Sequence, residues 1–176
     1  MTSHMNAALA VVCLAGVSAS FAAEPSPHFA ALKPMLGKTW RGAFPGAPAD
    51  KPKTDVQRWE VALNGQAVRI LHSINDGEYG GESLIVWDEE KRSLIFYYFT
   101  TAGFYTTGTA SADGGALVTL ETVKGNADGI TEVKGVMRVL PDGRMHVKTQ
   151  YLKNGSWTDG RDMHYVETPG AEVRFK

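Results

Sequence analysis

The chain has 176 residues, 43% of them hydrophobic and 21% charged, with a formal net charge of −1. This is the composition of one ordinary globular domain, long enough to hold a core without disulfides or a metal. Lysine and arginine are scattered along the chain, which excludes the basic footprint of a nucleic-acid binder.

Residues 6–23 are apolar or small, and the first lysine is Lys33. Ser20-Phe21-Ala22 supplies small residues at −3 and −1 of a cleavage site after Ala22. Residues 1–22 are therefore expected to be a signal peptide and 23–176 a single periplasmic or secreted domain. The usual basic residue before the apolar run is missing, with His4 in its place. The alternative is an uncleaved N-terminal anchor. The run is short and diluted by Gly16, Ser18 and Ser20, whereas a membrane span needs about 20 strongly apolar residues. No stable membrane insertion of the mature domain is expected. The one cysteine, Cys13, falls in this segment, so the mature chain carries no thiol chemistry.

After Pro25 and Pro27, the spacing of Phe29, Leu32 and Met35 predicts a short helix over His28–Leu36, ended by Gly37. Strands are predicted over 38–44, 54–63, 66–75, 82–88, 93–101, 104–111, 115–124, 130–140, 144–152 and 157–167. The breaks carry turn chemistry, among them Asn64-Gly65, Asp76-Gly77, Asp113-Gly114, Pro141-Asp142-Gly143 and Asn154-Gly155. Such short breaks cannot hold the crossovers that parallel neighbours require. The fold class is thus all-β, an antiparallel up-and-down barrel of about ten strands with a short N-terminal helix. Gly77 to Gly81 reads as a loop, without the features of a phosphate cradle.

One hairpin fixes its own register. A two-residue Asn64-Gly65 turn sets Val61 against Val68, Trp59 against Ile70 and Gln57 against His72 on one mostly apolar face. Glu60 then meets Arg69 on the other face, which looks solvated. Strand 93–101 differs, since Leu94-Ile95-Phe96-Tyr97-Tyr98-Phe99 is apolar on both sides. One side is expected to line the lumen and the other to lie under the helix.

Leu36-Gly37-Lys38-Thr39-Trp40-Arg41-Gly42, after a short helix and heading an all-β meander, resembles the first strand of the calycins, the lipocalins and their relatives. It looks especially like bacterial exported lipocalin-like domains. The resemblance covers about 32–168, with Gly-x-x-Trp in place of the lipocalin Gly-x-Trp. It implies that Trp40 closes the barrel floor and that Arg161, from the last strand, packs across its face as a cation–π pair. Both roles are structural.

Inward polar groups in an apolar barrel are the informative residues, because burying one unpaired costs on the order of 2–7 kcal/mol. Gln57 and His72 form such a pair. They are either anchors for a ligand's polar end or a mutually satisfied core pair. In the last hairpin, an Asn154-Gly155 turn sets Tyr151 against Thr158, Val147 against Asp162 and Met145 against His164. His164 would then face the lumen beside Asp162, with His146 on the opposite face. No His-x-x-x-His pair, Gly-x-Ser-x-Gly elbow or cysteine nucleophile occurs in 23–176. The expected function is a non-catalytic barrel for a small apolar or amphipathic molecule. Trp59, Val61, Val68 and Ile70 would form its wall, and Gln57, His72 and His164 would bind. No cofactor is expected. Two readings compete with it: a haem- or metal-binding barrel with His72 or His164 as ligand, and a ligand-free structural module of the envelope.

Overall fold

The computed structural model describes residues 23–125 and 128–176; the expected signal peptide lies outside them. Ten antiparallel strands close into one barrel. They are β1 (Thr39–Ala43), β2 (Thr54–Ala62), β3 (Ala67–Ile74), β4 (Tyr79–Asp88), β5 (Ser93–Thr100), β6 (Tyr105–Asp113), β7 (Ala116–Lys124), β8 (Ile130–Val139), β9 (Met145–Lys153) and β10 (Ser156–Glu167). Each strand pairs with its neighbours in sequence, and β1 closes on β10 with Trp40 opposite Glu167 and Gly42 opposite Tyr165. Closure leaves no unpaired edge. Strand β4 begins at Tyr79, so Gly80 and Gly81 belong to the sheet and not to the expected loop.

The first hairpin has the expected register, with Gln57 opposite His72, Trp59 opposite Ile70 and Val61 opposite Val68. Its turn is longer than two residues. Leu63 and Asn64 both have positive φ, and Ala62–Ala67 is the last pair.

The N-terminal segment departs from expectation. Pro27–Leu32 is a 3₁₀ helix, followed by turns up to Gly37. Its hydrogen bonds span three residues, as in Lys33 N–H to Ala30 O and Met35 N–H to Leu32 O. Pro34 lacks the N–H that an α-helix would direct at Ala30 and its ring would crowd that carbonyl. Nor does the segment cover β5 from outside. It plugs the barrel, placing Phe29, Leu32 and Met35 in one core with Trp40, Trp59, Val68, Ile85, Leu94 and Phe96. The outer face of β5 is left open, with Tyr97 and Phe99 exposed beside Tyr105 and Leu120.

Trp40 is fully buried at this floor and its indole N–H donates to the Met35 carbonyl. The N-terminal segment therefore packs into the floor of the lumen. Phe29 is 0% exposed, so Phe29→Ala should remove a packed aromatic and cost about 3–5 kcal/mol. Urea unfolding monitored by tryptophan fluorescence measures this, and a loss below about 1 kcal/mol would show that the segment is not part of the cooperative core.

Candidate functional site

Strand alternation carries one inner row from the apolar floor to a polar mouth. On β2 that row is Trp59, Gln57 and Asp55, all buried. The indole Nε1 of Trp59 donates to Gln57 Oε1 at 3.3 Å, and Gln57 Nε2 donates to Asp55 Oδ2 at 3.2 Å. Asp55 is 0% exposed and lies at the centre of the network. Its Oδ2 also accepts from the Tyr165 hydroxyl at 2.8 Å and from Arg161 Nη1 at 3.2 Å. Its Oδ1 lies 3.0 Å from His72 Nδ1. Four donors thus meet one carboxylate, three at Oδ2 and one at Oδ1.

The network runs on toward solvent. An ionised carboxylate only accepts, so His72 Nδ1 carries the proton. His72 Nε2 lies 2.6 Å from the Tyr98 hydroxyl, accepting from it when the ring is neutral and donating to it when the ring is protonated. The Tyr79 hydroxyl lies 3.1 Å from that of Tyr98 and completes the row, with either oxygen able to donate to the other. Burial would raise the Asp55 carboxyl. The hydrogen bond and charge of His72, the charge of Arg161 and the bond from Tyr165 outweigh it and hold the group below its usual range. Burial pushes the phenols of Tyr98, Tyr79 and Tyr165 upward, so all three remain hydroxyls at neutral pH.

Glu121 of β7 lies on the facing wall, where it accepts from the buried Thr106 hydroxyl at 2.9 Å. Burial raises its carboxyl, while the Thr106 bond and the charge of Arg161 oppose the rise.

Arg161 owes its position to a β-bulge. The pairing of β10 with β9 shifts between Asp159 and Asp162. A Cβ on Gly160 would collide with the Tyr151 ring and Thr149 Oγ1, while Arg161 N–H donates to that same Thr149 oxygen at 2.7 Å. The extra residue inverts the alternation of everything after it. Met163 and Tyr165 now face inward with Arg161, opposite Val147 and Met145.

Two sequence expectations fail here, the first because of the bulge and the second because of distance along β10. His164 does not face the lumen. It is exposed on the outer wall, directly opposite His146, with the two rings stacked at 4.5 Å. Asp162 is outside as well and bonds His146 Nε2 at 2.8 Å. Arg161 does not pack on Trp40 either. Trp40 pairs with Glu167, six residues further along β10, which at strand spacing is about 20 Å away. Arg161 instead lies over the Phe44 ring at 5.3 Å, and the cation near Trp40 is Lys38.

Of the other sequence candidates, Gln57 and His72 do share one inner cluster. Trp59, Val68 and Ile70 belong to the packed floor or lie against it, below the polar mouth, and Val61 is half-buried beside them. Sequence reasoning missed Asp55, Glu121 and Tyr165 and took Tyr98 for a generic aromatic. The signal for Asp55 was present, since it sits two residues before Gln57 on the same face.

Two surface hollows of about 300 and 330 Å³ lie on the outer wall and include none of these lumen residues. Among the described residues, no group of three or more His, Cys, Asp or Glu side chains is placed to hold a metal ion.

No protein-family model matches the chain. No curated protein matches it either. Among solved structures, the barrel is similar to that of Rv2717c from M. tuberculosis, with 15% identity and a TM-score of 0.56, over 82% of this chain and 99% of the other. At that identity the likeness shows the fold alone.

Asp55→Ala should cost about 3–5 kcal/mol by leaving the Arg161 charge unpaired inside the barrel. The depressed Asp55 carboxyl contributes stability in full above its ordinary value of 3.8. That contribution is lost as pH falls through the lower folded-state value. Glu121 has the opposite sign. Its raised carboxyl favours folding below the ordinary 4.5 and increasingly opposes it as pH rises through the folded-state value. Glu121→Gln should therefore raise the melting temperature at pH 7–8 and leave it unchanged near pH 4. A difference independent of pH between the two proteins would contradict this assignment.

Proposed function

We propose that this barrel binds a small amphipathic molecule at its polar mouth, with the floor as a fixed apolar base. The observation that supports this most is that the inner wall changes from a sealed apolar core to partly buried polar groups, including Tyr79, Tyr98, His72 and Arg161. Binding sites use a few oriented polar groups against an apolar background. Here Asp55 fixes the orientation of both His72 and Arg161. The ligand would meet Tyr79, Tyr98 and Arg161 first. Trp59, Val68 and Ile70 would support the site from below rather than line it.

His72 serves this reading as an orienting group. Both of its ring nitrogens already have partners in Asp55 and Tyr98, so a role as metal or haem ligand would require it to release one of them. The reading also takes the domain as an exported one, on the apolar composition of 6–23. It takes the chain as a relative of the calycins on Gly37 and the buried floor tryptophan, Trp40.

Native mass spectrometry of protein purified from its own source tests the proposal. A co-purified small molecule, lost together with binding in Tyr98→Phe or Tyr79→Phe, is the expected result. A ligand retained undiminished in both variants would place binding elsewhere on the protein.

A further inference from the structure

We propose that the head group recognised at the mouth is a single carboxylate, held bidentately by the Nε and Nη2 edge of Arg161. This rests on the mouth being the binding site. The Arg161 guanidinium is fixed on its other sides. Nη1 donates to Asp55 Oδ2 at 3.2 Å and to the Tyr165 hydroxyl at 3.3 Å, and the Phe44 ring covers the plane at 5.3 Å. Nε and Nη2 make no hydrogen bond to any described residue, and the side chain is 20% exposed. In arginine these two nitrogens point the same way and form the fork that matches the two oxygens of a carboxylate.

The surroundings select the charge of the guest. Asp55 and Glu121 already bring two carboxyls close to Arg161. A phosphate dianion would face both with one guanidinium to hold it. A monoanion adds one negative charge against one open cationic edge. The groups around the fork are phenolic, with Tyr79, Tyr98 and Tyr151 close enough to share its field. Flat aromatic rings beside a planar cationic fork suit a small carboxylic acid with an aromatic or short apolar body. The packed floor beneath Trp59 and Val68 leaves no depth for a long chain.

The test uses the purified protein with benzoate and hexanoate, each against its neutral amide, by calorimetry and by the Arg161 Nε–H resonance in NMR. At least one acid is expected to bind with one-to-one stoichiometry, at least tenfold more tightly than its amide, and to shift that resonance. Arg161→Lys keeps a cation against Asp55 but lacks the fork, and should remove the preference for acid over amide. The wild-type acid and amide pair is informative even where the variant fails to fold. Amides that bind as tightly as the acids would overturn the carboxylate assignment and leave the binding reading intact. Acids and amides that both leave every mouth resonance unmoved would overturn the two together.

Discussion

A carboxylate fully enclosed in a protein is tolerated only when its charge and lone pairs are met, and Asp55 organises the barrel by this requirement. The partners that satisfy it come from near and far along the chain. Gln57 is two residues away, His72 is on the next strand, and Arg161 and Tyr165 lie more than a hundred residues on. Satisfying one residue thus ties β2 to β3 on one side and, past β1, to β10 on the other. A pair that bridges the two ends of the chain gains most when the sheet is closed, because each charge would otherwise be stranded in the interior. The same constraint fixes the rotamers of His72 and Arg161, the groups that face the mouth.

The division of the lumen follows from the plug. Phe29, Leu32 and Met35 enter from the floor and meet Trp40 and Trp59, so the lower half is as tightly filled as a domain core. Polar inner residues are confined to the upper half, where they reach either one another or water. Gly42 shows how closely the halves meet. The Tyr165 ring lies where its Cβ would be, at 2.8 Å, which lets the tyrosine belong to the core by its ring and to the Asp55 network by its hydroxyl.

Local chemistry made most of the fold legible in the sequence. Turn residues and period-two alternation locate all ten strands, and the Asn64-Gly65 hairpin specifies the pairing of Gln57 with His72 from its own residues. What was not legible depends on single irregularities or distant contacts. Gly160 in the middle of β10 is a bulge signal, and passing over it placed Asp162 and His164 in the lumen instead of Arg161. Pro34 marks the end of α-helical possibility, and passing over it turned a 3₁₀ plug into a helix lying outside β5. The Asp55–Arg161 pair carries no local signature at all, because neither residue's neighbours indicate a partner 106 positions away.

Asp55, His72 and Tyr98 have the order of a catalytic relay, with a carboxylate orienting an imidazole that accepts from a hydroxyl. The environment argues against using it to generate a nucleophile. A relay of that kind needs a hydroxyl that loses its proton readily, yet burial and the neighbouring Tyr79 drive the Tyr98 phenol well above its ordinary value. The proton stays on oxygen. What the row does supply is position, since each hydroxyl is held by the group behind it, back to Asp55. Tyr79, at the open end, therefore presents its hydroxyl to the mouth at a fixed position beside Tyr98. Under the proposed binding role, a guest would meet a hydroxyl positioned through His72 and a cationic fork positioned through Tyr165, both referred to the same buried carboxylate. Preorganised polar groups of this kind lower the ordering cost of binding, which is a reason for a stable barrel to keep a charge inside.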